Sequence, residues 1–372
     1  MNRIRVAQLG CGYRGKDHLD GWLSNPDRFE IVALCEVDEE KMKNAAKERG
    51  ISPSFYTDAG RMLREEEPDL FCFCTQPDVR LELIELAADN GLRAVAFEKP
   101  MAQKLSVARR ITEICREHGI KATVCHQQKY LTSMQKLKET VQSGDIGTIT
   151  EIHASSSCNT TDLGTHYTDY MLWANDFSPP TWVVGHVHGR VELDHSHPSP
   201  DFFLARTEFG NDVRGLLEFG KLAPIYEAGQ EIWQVNRLTV FGTHGYVWAE
   251  TTGIWGALTK LSDGNILRGE GPGYTAENPG QGWSAQVKSI QTRYAADVAD
   301  WLDGKTADHP CNVEHAFAGF ELLHATCISA LNHTRVDLPL DGSLRDADVF
   351  ADMRRLLPEC VPRNPRSRSK ST

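Results

Sequence analysis

The sequence has no apolar run approaching the ~20 residues that a helix needs to cross a bilayer, which excludes a helical membrane protein. It has no CxxC pair. Its ten cysteines lie scattered from Cys11 to Cys360, most of them inside apolar runs. They read as small buried hydrophobes in a reducing compartment, not as a metal or disulfide framework. A basic stripe is missing too: 51 acidic residues outweigh 40 basic ones, and the formal net charge of −11 argues against a nucleic-acid-binding surface. There is no repeat of solenoid period. The first strand-like run begins at Ile4, which leaves no room for a leader and makes the cytoplasm the expected location.

What is present is enough chain, 372 residues, for two domains with separate cores. In the first third, strand-like runs (Ile4–Leu9, Glu30–Cys35, Leu70–Cys74, Ala94–Phe97, Ala122–Cys125) alternate with helical stretches (Glu39–Arg49, Asp78–Asn90, Val107–His118). That alternation predicts a parallel sheet covered on both faces. After a helix over Ser133–Ser143 the strand candidates are Thr148–Ser157, Thr181–Val191, Leu204–Phe209, Gly215–Phe219, Leu238–Phe241 and Tyr246–Glu250. Turn residues instead of helices separate them, as in an antiparallel sheet. Helices return at about Ser284–Leu302 and Val313–Asn332. The expected fold class is α/β: a doubly wound sheet over residues 1–128, then a substrate-binding and oligomerisation domain over 129–360. The latter is α+β with a large, mostly antiparallel, open-faced sheet. A flexible basic tail, 361–372, follows. The aromatic residues Trp233, Phe241, Tyr246, Trp248 and Trp255 fit a subunit interface and core packing equally well.

The densest chemical signal is Gly10-Cys-Gly-Tyr-Arg-Gly15, placed between a strand and a helix. Gly10 permits the tight turn, Gly12 holds no side chain against a pyrophosphate, and Gly15 lets the helix approach the sheet. Gly12, Tyr13 and Arg14 would cradle the phosphates at the positive end of the helix. Glu36 ends the next strand, where a carboxylate accepts hydrogen bonds from the adenosine ribose hydroxyls and repels a 2′-phosphate. NAD is therefore the expected cofactor, with Lys41 leaving NADP open. Lys99, in Glu98-Lys99-Pro100, directly follows a central strand and so falls at the nicotinamide end of the sheet. An ammonium there would hold a substrate hydroxyl. A surface lysine paired with Glu98 explains the same residues. In Asp162-Leu-Gly-Thr-His166-Tyr-Thr-Asp169, helical spacing puts Asp162, His166 and Asp169 on one face. A carboxylate beside an imidazole makes a better general base, whereas Asp162 as a plain N-cap would leave His166 structural. His186, His188, His195 and His197, with Asp194 and Asp201 nearby, lack a recognised metal-ligand spacing; no metal is expected, and a loop bordering the substrate is preferred.

In this order and spacing, Gly10–Gly15, Glu98-Lys99-Pro100 and Asp162-x-x-x-His166-x-x-Asp169 resemble the glucose–fructose oxidoreductase / inositol dehydrogenase / MocA family over nearly the whole chain. Cys74-Thr75-Gln76-Pro77 looks like that family's strand-end loop against the dinucleotide, and Ser143–Gly147 like its passage into the second domain. The resemblance implies a Rossmann domain and an NAD(P)-dependent oxidoreductase. Its reaction would be hydride transfer to or from a secondary alcohol or ketone of a sugar, cyclitol or related derivative. It implies Lys99, Asp162 and His166 as the catalytic set. Thr75, Gln76, Pro77, Glu98 and Lys99 would lie near the cofactor, and Lys129, Tyr130 and Asp169 would join the catalytic set around the substrate. Homodimers or homotetramers would form through the open sheet face. Arg80 stands where a histidine is common, and Lys129 where an arginine is common. On this reading His166, oriented by Asp162, accepts the hydroxyl proton, Lys99 steadies the oxygen, and Asp169 binds a substrate hydroxyl or braces the helix. Two rivals remain: glycoside cleavage by transient ring oxidation with recycled NAD, and a non-catalytic dinucleotide sensor.

Overall fold

The computed structural model describes residues 3–193, 198–224 and 236–360, apart from the Asp162 side chain. Asp194, His195, His197, Trp233 and the tail from 361 lie outside the described residues, and so do the expectations that fell on them. Contacts divide the chain into two compact units: residues to Gln135 with Glu270–Phe317, and Lys136–Gly269 with the chain from Ala318.

In the first unit, strands β1 (Ile4–Leu9), β2 (Phe29–Cys35), β3 (Ser54–Tyr56), β4 (Leu70–Phe73), β5 (Ala94–Glu98) and β6 (Lys121–Cys125) alternate with helices. The helices are α1 (Tyr13–Leu23), α2 (Glu39–Arg49), α3 (Ala59–Glu66), α4 (Arg80–Asp89) and α5 (Leu105–Glu117). Neighbouring strands are parallel and ordered β3-β2-β1-β4-β5-β6, the doubly wound arrangement. Strands covered on both faces must be apolar throughout, and every residue of β4 is buried. Phe73 of β4 pairs with Phe97 of β5, their rings stacked with centroids 5.0 Å apart. Because all strands run the same way, the residues that follow β1, β2, β4 and β5 share one edge of the sheet. That edge is where ligands bind in such sheets. The short β3 and α3 were not anticipated; three edge residues leave too little periodicity to read.

After α6 (Thr132–Gln142), the second unit holds β7 (Ile149–Ser156), α7 (Thr160–Ala174), β8 (Pro180–Glu192), β9 (Pro198–Phe209), β10 (Arg214–Gly220), β11 (Asn236–Gly242), β12 (Gly245–Ala249), β13 (Ile254–Leu258) and β14 (Leu267–Glu270). Later in the chain come α8 (Gly280–Leu302), α9 (Val313–Asn332), β15 (Val336–Asp337) and α10 (Val349–Leu356). Among the described residues the sheet has nine strands in the order β14-β13-β12-β11-β7-β10-β9-β8-β15. β7 and β10 run parallel, while β8–β9, β9–β10, β7–β11, β11–β12 and β12–β13 are antiparallel. Alternation is clean on β9: Phe203, Ala205, Thr207 and Phe209 are buried, whereas Phe202, Leu204, Arg206 and Glu208 are half-exposed. Helix α7 covers the buried face, packing on β7, β9, β10 and β11. On the opposite face Glu151 binds His153 and pairs with Arg206 at 3.3 Å and Arg214 at 3.2 Å.

The units are not the consecutive segments that the sequence suggested. Residues 270–317, read as part of the second domain, pack with the first. α8 lies on α1: its Ile290, Tyr294, Val298 and Trp301 are buried, each contributing about 1.5–3 kcal/mol by leaving water. Asn25 bonds the Thr292 carbonyl at 3.0 Å, and Arg28 pairs with Asp300 and Asp303, both at 2.8 Å. No local pattern in α8 names the partner of its apolar stripe, so sequence order alone assigned it wrongly. None of the ten cysteines is in a disulfide. Burial pushes the Cys11, Cys115 and Cys327 thiols up to about 12. Among the described residues no helix is long and apolar enough to cross a membrane.

Candidate active site

In the first unit the turn after β1 is built as the glycines require. Gly10 has φ +93°, and a Cβ there would sit 2.6 Å from the Cys74 carbonyl oxygen. At Gly15 a Cβ would sit 2.1 Å from the Gly10 oxygen. Gly12, the N-cap of α1, faces open space: nothing lies within 4 Å of an added Cβ. The first turn of α1 holds no acidic residue and its N-cap makes no side-chain bond, so neither occupies the N–H groups that a helix N-terminus leaves for an anion. Gln8, which the motif reading missed, braces this turn by donating to Gly10 O at 3.1 Å and Gly15 O at 2.8 Å. Glu36 stands beside it. Its carboxylate accepts from Cys11 N at 3.0 Å, Val37 N at 2.9 Å and Asp38 N at 3.4 Å. A carboxylate offers about four lone-pair sites, so one direction remains for a hydroxyl donor. Thr75 Oγ1, on the loop after β4, is buried without a partner. The open cradle, the fixed carboxylate and this orphaned hydroxyl fit a dinucleotide.

Arg14 and Glu98 have other work. Both were expected among the cofactor contacts, Arg14 at the pyrophosphate. Glu98 is buried, with one carboxylate oxygen 3.0 Å from His18 Nε2 and 3.4 Å from Arg14 Nε. Arg14 also binds Asp17 at 2.9 Å. Gln127, with its amide oriented to satisfy both ends, accepts from Arg14 and donates to the Cys125 carbonyl at 2.8 Å. Burial by itself would raise the Glu98 carboxyl, but Arg14 and His18 outweigh it and hold the group at about 2. The half-buried Arg14 side chain thus turns to Glu98 and Asp17, which leaves the backbone N–H groups of the α1 N-terminus as the donors beside the Gly12 cradle. Tyr13 is 72% exposed. Gln76 stands at the N-cap position, without a side-chain bond, of a 3₁₀ turn (Pro77–Val79) that carries the loop into α4.

Lys99 follows β5 at the ligand-binding edge, with its peptide bond to Pro100 cis. Lys129 and Tyr130 were expected to line the substrate. Both are buried inside the unit, where the Lys129 ammonium donates to the Pro310 carbonyl and the Tyr130 hydroxyl donates to Asp297 at 2.8 Å. Cys311 N donates to His309 Nδ1 at 2.9 Å. Burial, and then the Lys129 charge, hold this imidazole down at about 3. These residues belong to the scaffold.

In the second unit, α7 begins at Thr160 with Asn159 as its N-cap, so position 162 lies inside the helix and the N-cap reading of Asp162 is set aside. His166 is buried, and its Nδ1 lies 2.7 Å from the Tyr170 hydroxyl one turn on. Tyr170 was missed, although its i,i+4 spacing from His166 was there to read. Asp169 is fully buried. In the histidine-rich segment His188 Nδ1 lies 3.0 Å from Asp201, which also binds Lys221. Trp248 is buried beneath the Arg237 guanidinium, 4.1 Å from its ring centroid, which favours the packing reading for this aromatic.

Residues 4–126 match the sequence model of the Gfo/Idh/MocA oxidoreductase family, NAD-binding Rossmann fold. Over those residues the chain is similar to that family's NAD-binding domain. The chain is 33% identical over 148 residues to D-apiose dehydrogenase of Paraburkholderia graminis, a match covering 40% of this chain and 39% of that protein. It is 22% identical over 227 residues to myo-inositol 2-dehydrogenase of Thermotoga maritima, covering 61% of each. The chain thus spans 39% and 61% of the lengths of these curated relatives. The crystal structure of an oxidoreductase from Agrobacterium radiobacter, in complex with NAD+, L-tartaric acid and magnesium, superposes with a TM-score of 0.75 at 18% identity. That superposition covers 90% of this chain and 98% of the other, and shows a shared fold.

Proposed function

We propose that the protein is an NAD-dependent dehydrogenase of the CH–OH class, oxidising a secondary alcohol of a sugar, cyclitol or related polyol, or reducing the corresponding ketone. The observation that carries this reading is Lys99 at the end of β5, on the same sheet edge as the open Gly12 cradle and Glu36. The sugar and cyclitol dehydrogenases among its relatives support the substrate class. When bound, NAD supplies the hydride acceptor. The α1 N–H groups and Gly12 would hold its pyrophosphate, Thr75 to Pro77 its flank, and Glu36 its adenosine ribose. The Glu36 charge favours NAD over NADP by repelling a 2′-phosphate.

Lys99 would donate a hydrogen bond to the reacting oxygen and stabilise the negative charge that develops there. His166 would take the hydroxyl proton. For Nε2 to accept it, Nδ1 must carry the ring hydrogen and donate it to the Tyr170 oxygen, which their 2.7 Å spacing allows. Asp162 would orient His166, and Asp169, being buried, would brace α7. A second copy of the chain would bind the sheet face that presents Phe202, Leu204 and Arg206. Ten cysteines with no disulfide among them support a cytoplasmic location.

The test is a panel of sugars, cyclitols and glycosides with NAD and NADP, reading reduced-cofactor absorbance alongside product analysis. Lys99→Ala is expected to bind NADH within about threefold of wild type and to lose turnover by about 10²–10³-fold. Wild-type turnover in that variant would remove Lys99 from the chemistry. Aglycone release without net NADH would replace net oxidation by redox-neutral cleavage.

A further inference from the structure

Position 80 carries an arginine where the resemblance leads one to expect a histidine. Its side chain is 2% exposed, so a whole guanidinium has left water. Such a burial costs several kcal/mol unless the charge is met by well-placed partners. The partners are all backbone. Arg80 donates to the carbonyls of Thr75 at 2.7 Å, Lys99 at 3.5 Å and Pro100. Burial draws the guanidinium down to about 10, which still leaves it charged at neutral pH.

Those three carbonyls lie on two different loops. Thr75 follows β4 and Lys99-Pro100 follows β5, and the two strands are hydrogen-bonded neighbours that end in register at Phe73 and Phe97. Beyond that register no ladder ties the loops together, so the guanidinium replaces it. Its two terminal nitrogens reach acceptors on both loops at angles fixed by the planar fork, whereas an ammonium has no fixed fork and an imidazole has at most two N–H donors. The Lys99 carbonyl is one of the acceptors, so the backbone from which the Lys99 side chain departs is held from within the unit. We propose that Arg80 is a positioning residue for Lys99, clamping the strand-end loops of β4 and β5 so that the Lys99 ammonium and the Thr75 hydroxyl keep one relative placement. The proposal rests on the reading of Lys99 as a catalytic residue.

The experiment uses the full chain as wild type, Arg80→Lys, Arg80→Gln and Lys99→Ala. Hydrogen exchange without added ligand is followed over residues 75–79 and 98–104, with β2 and α2 as internal references. NADH affinity is read by fluorescence, and kcat and KM are measured on the best substrate from the panel. In Arg80→Lys, which keeps the charge and loses the fork, the two loops are expected to exchange about tenfold faster than wild type while β2 and α2 do not change. Its kcat should fall about 10- to 100-fold, with KM and NADH affinity within about threefold, because a loosened ammonium costs turnover more than binding. Arg80→Gln should lose more than Arg80→Lys. If Lys99→Ala abolishes turnover while Arg80→Lys keeps wild-type kcat or wild-type loop exchange, the clamp is wrong and the reading of Lys99 survives. If Lys99→Ala turns over normally, the catalytic reading falls and takes the clamp with it. Loss of cooperative unfolding in Arg80→Lys would make the residue a general fold determinant and would also overturn the proposal.

Discussion

The two units carry their candidate site residues in different ways. In the first, the candidate cofactor cradle is backbone: the Gly10–Gly15 turn, the α1 N-terminus and the loops after β4 and β5, all set at one edge of a parallel sheet. In the second, the candidate base sits on α7, where side-chain partners such as Tyr170 orient it. Backbone sites demand particular residue types at fixed offsets, because only glycine fits a φ of +93° or a Cβ position 2.1 Å from a carbonyl oxygen. Side-chain sites demand only that suitable groups meet, and many sequences satisfy that.

The largest expected effect tests how far the first unit depends on charge beneath its backbone. Glu98→Gln leaves His18 buried without its carboxylate, takes one of the two carboxylates of the half-buried Arg14, and should cost about 3–5 kcal/mol in urea unfolding at neutral pH. Glu98 titrates at about 2 when folded, below its value of about 4.3 in the unfolded chain, so its contribution is complete above the unfolded value and is lost as pH falls toward about 2. The variant should lack that acid limb. An unchanged slope between these two pH values would show that the carboxylate is solvated instead.

A pair of glycine substitutions sharpens the same point. Gly15→Ala drives a methyl into the Gly10 carbonyl and should destabilise by about 1–3 kcal/mol. Gly12→Ala meets nothing within 4 Å, and its φ of −71° suits alanine. It should leave unfolding within about 0.5 kcal/mol of wild type. Its methyl stands where the pyrophosphate would pass, so NADH affinity should fall about tenfold or more. Equal stability losses in the two variants, or unimpaired NADH binding in Gly12→Ala, would break the division between a structural and a ligand-facing glycine.

Legibility followed the same division. The doubly wound sheet apart from β3, its helices apart from α3, and the Gly10–Gly15 turn were readable because strand alternation, turn glycines and a carboxylate at the end of β2 each have a local signature. Most strands of the second sheet were readable from their turns. What could not be read was pairing at a distance. The return of α8 to α1, the parallel neighbours β7 and β10, the inward turn of Arg14 toward Glu98 and the burial of Lys129 against Pro310 all depend on which surfaces meet. Arg80 shows the limit from the other side. The sequence marked it as a departure, but only the three carbonyls around it give the departure a physical meaning.

The smallest expected effect falls in the second unit, where a neutral hydrogen bond replaces steric demand. Tyr170→Phe removes one hydroxyl from a buried ring that also packs against Tyr167, centroids 5.4 Å apart, so the packing survives. The stability loss should be about 0.5–1.5 kcal/mol, the net worth of one such bond. If His166 is the base, the ring loses the contact that holds hydrogen on Nδ1, and kcat should fall by about three- to tenfold with KM and NADH affinity unchanged. A stability loss with wild-type kcat would make the His166–Tyr170 bond a packing device of α7, whereas a fall in kcat alone would set Tyr170 beside Arg80 as a residue that aims a reacting group without touching substrate.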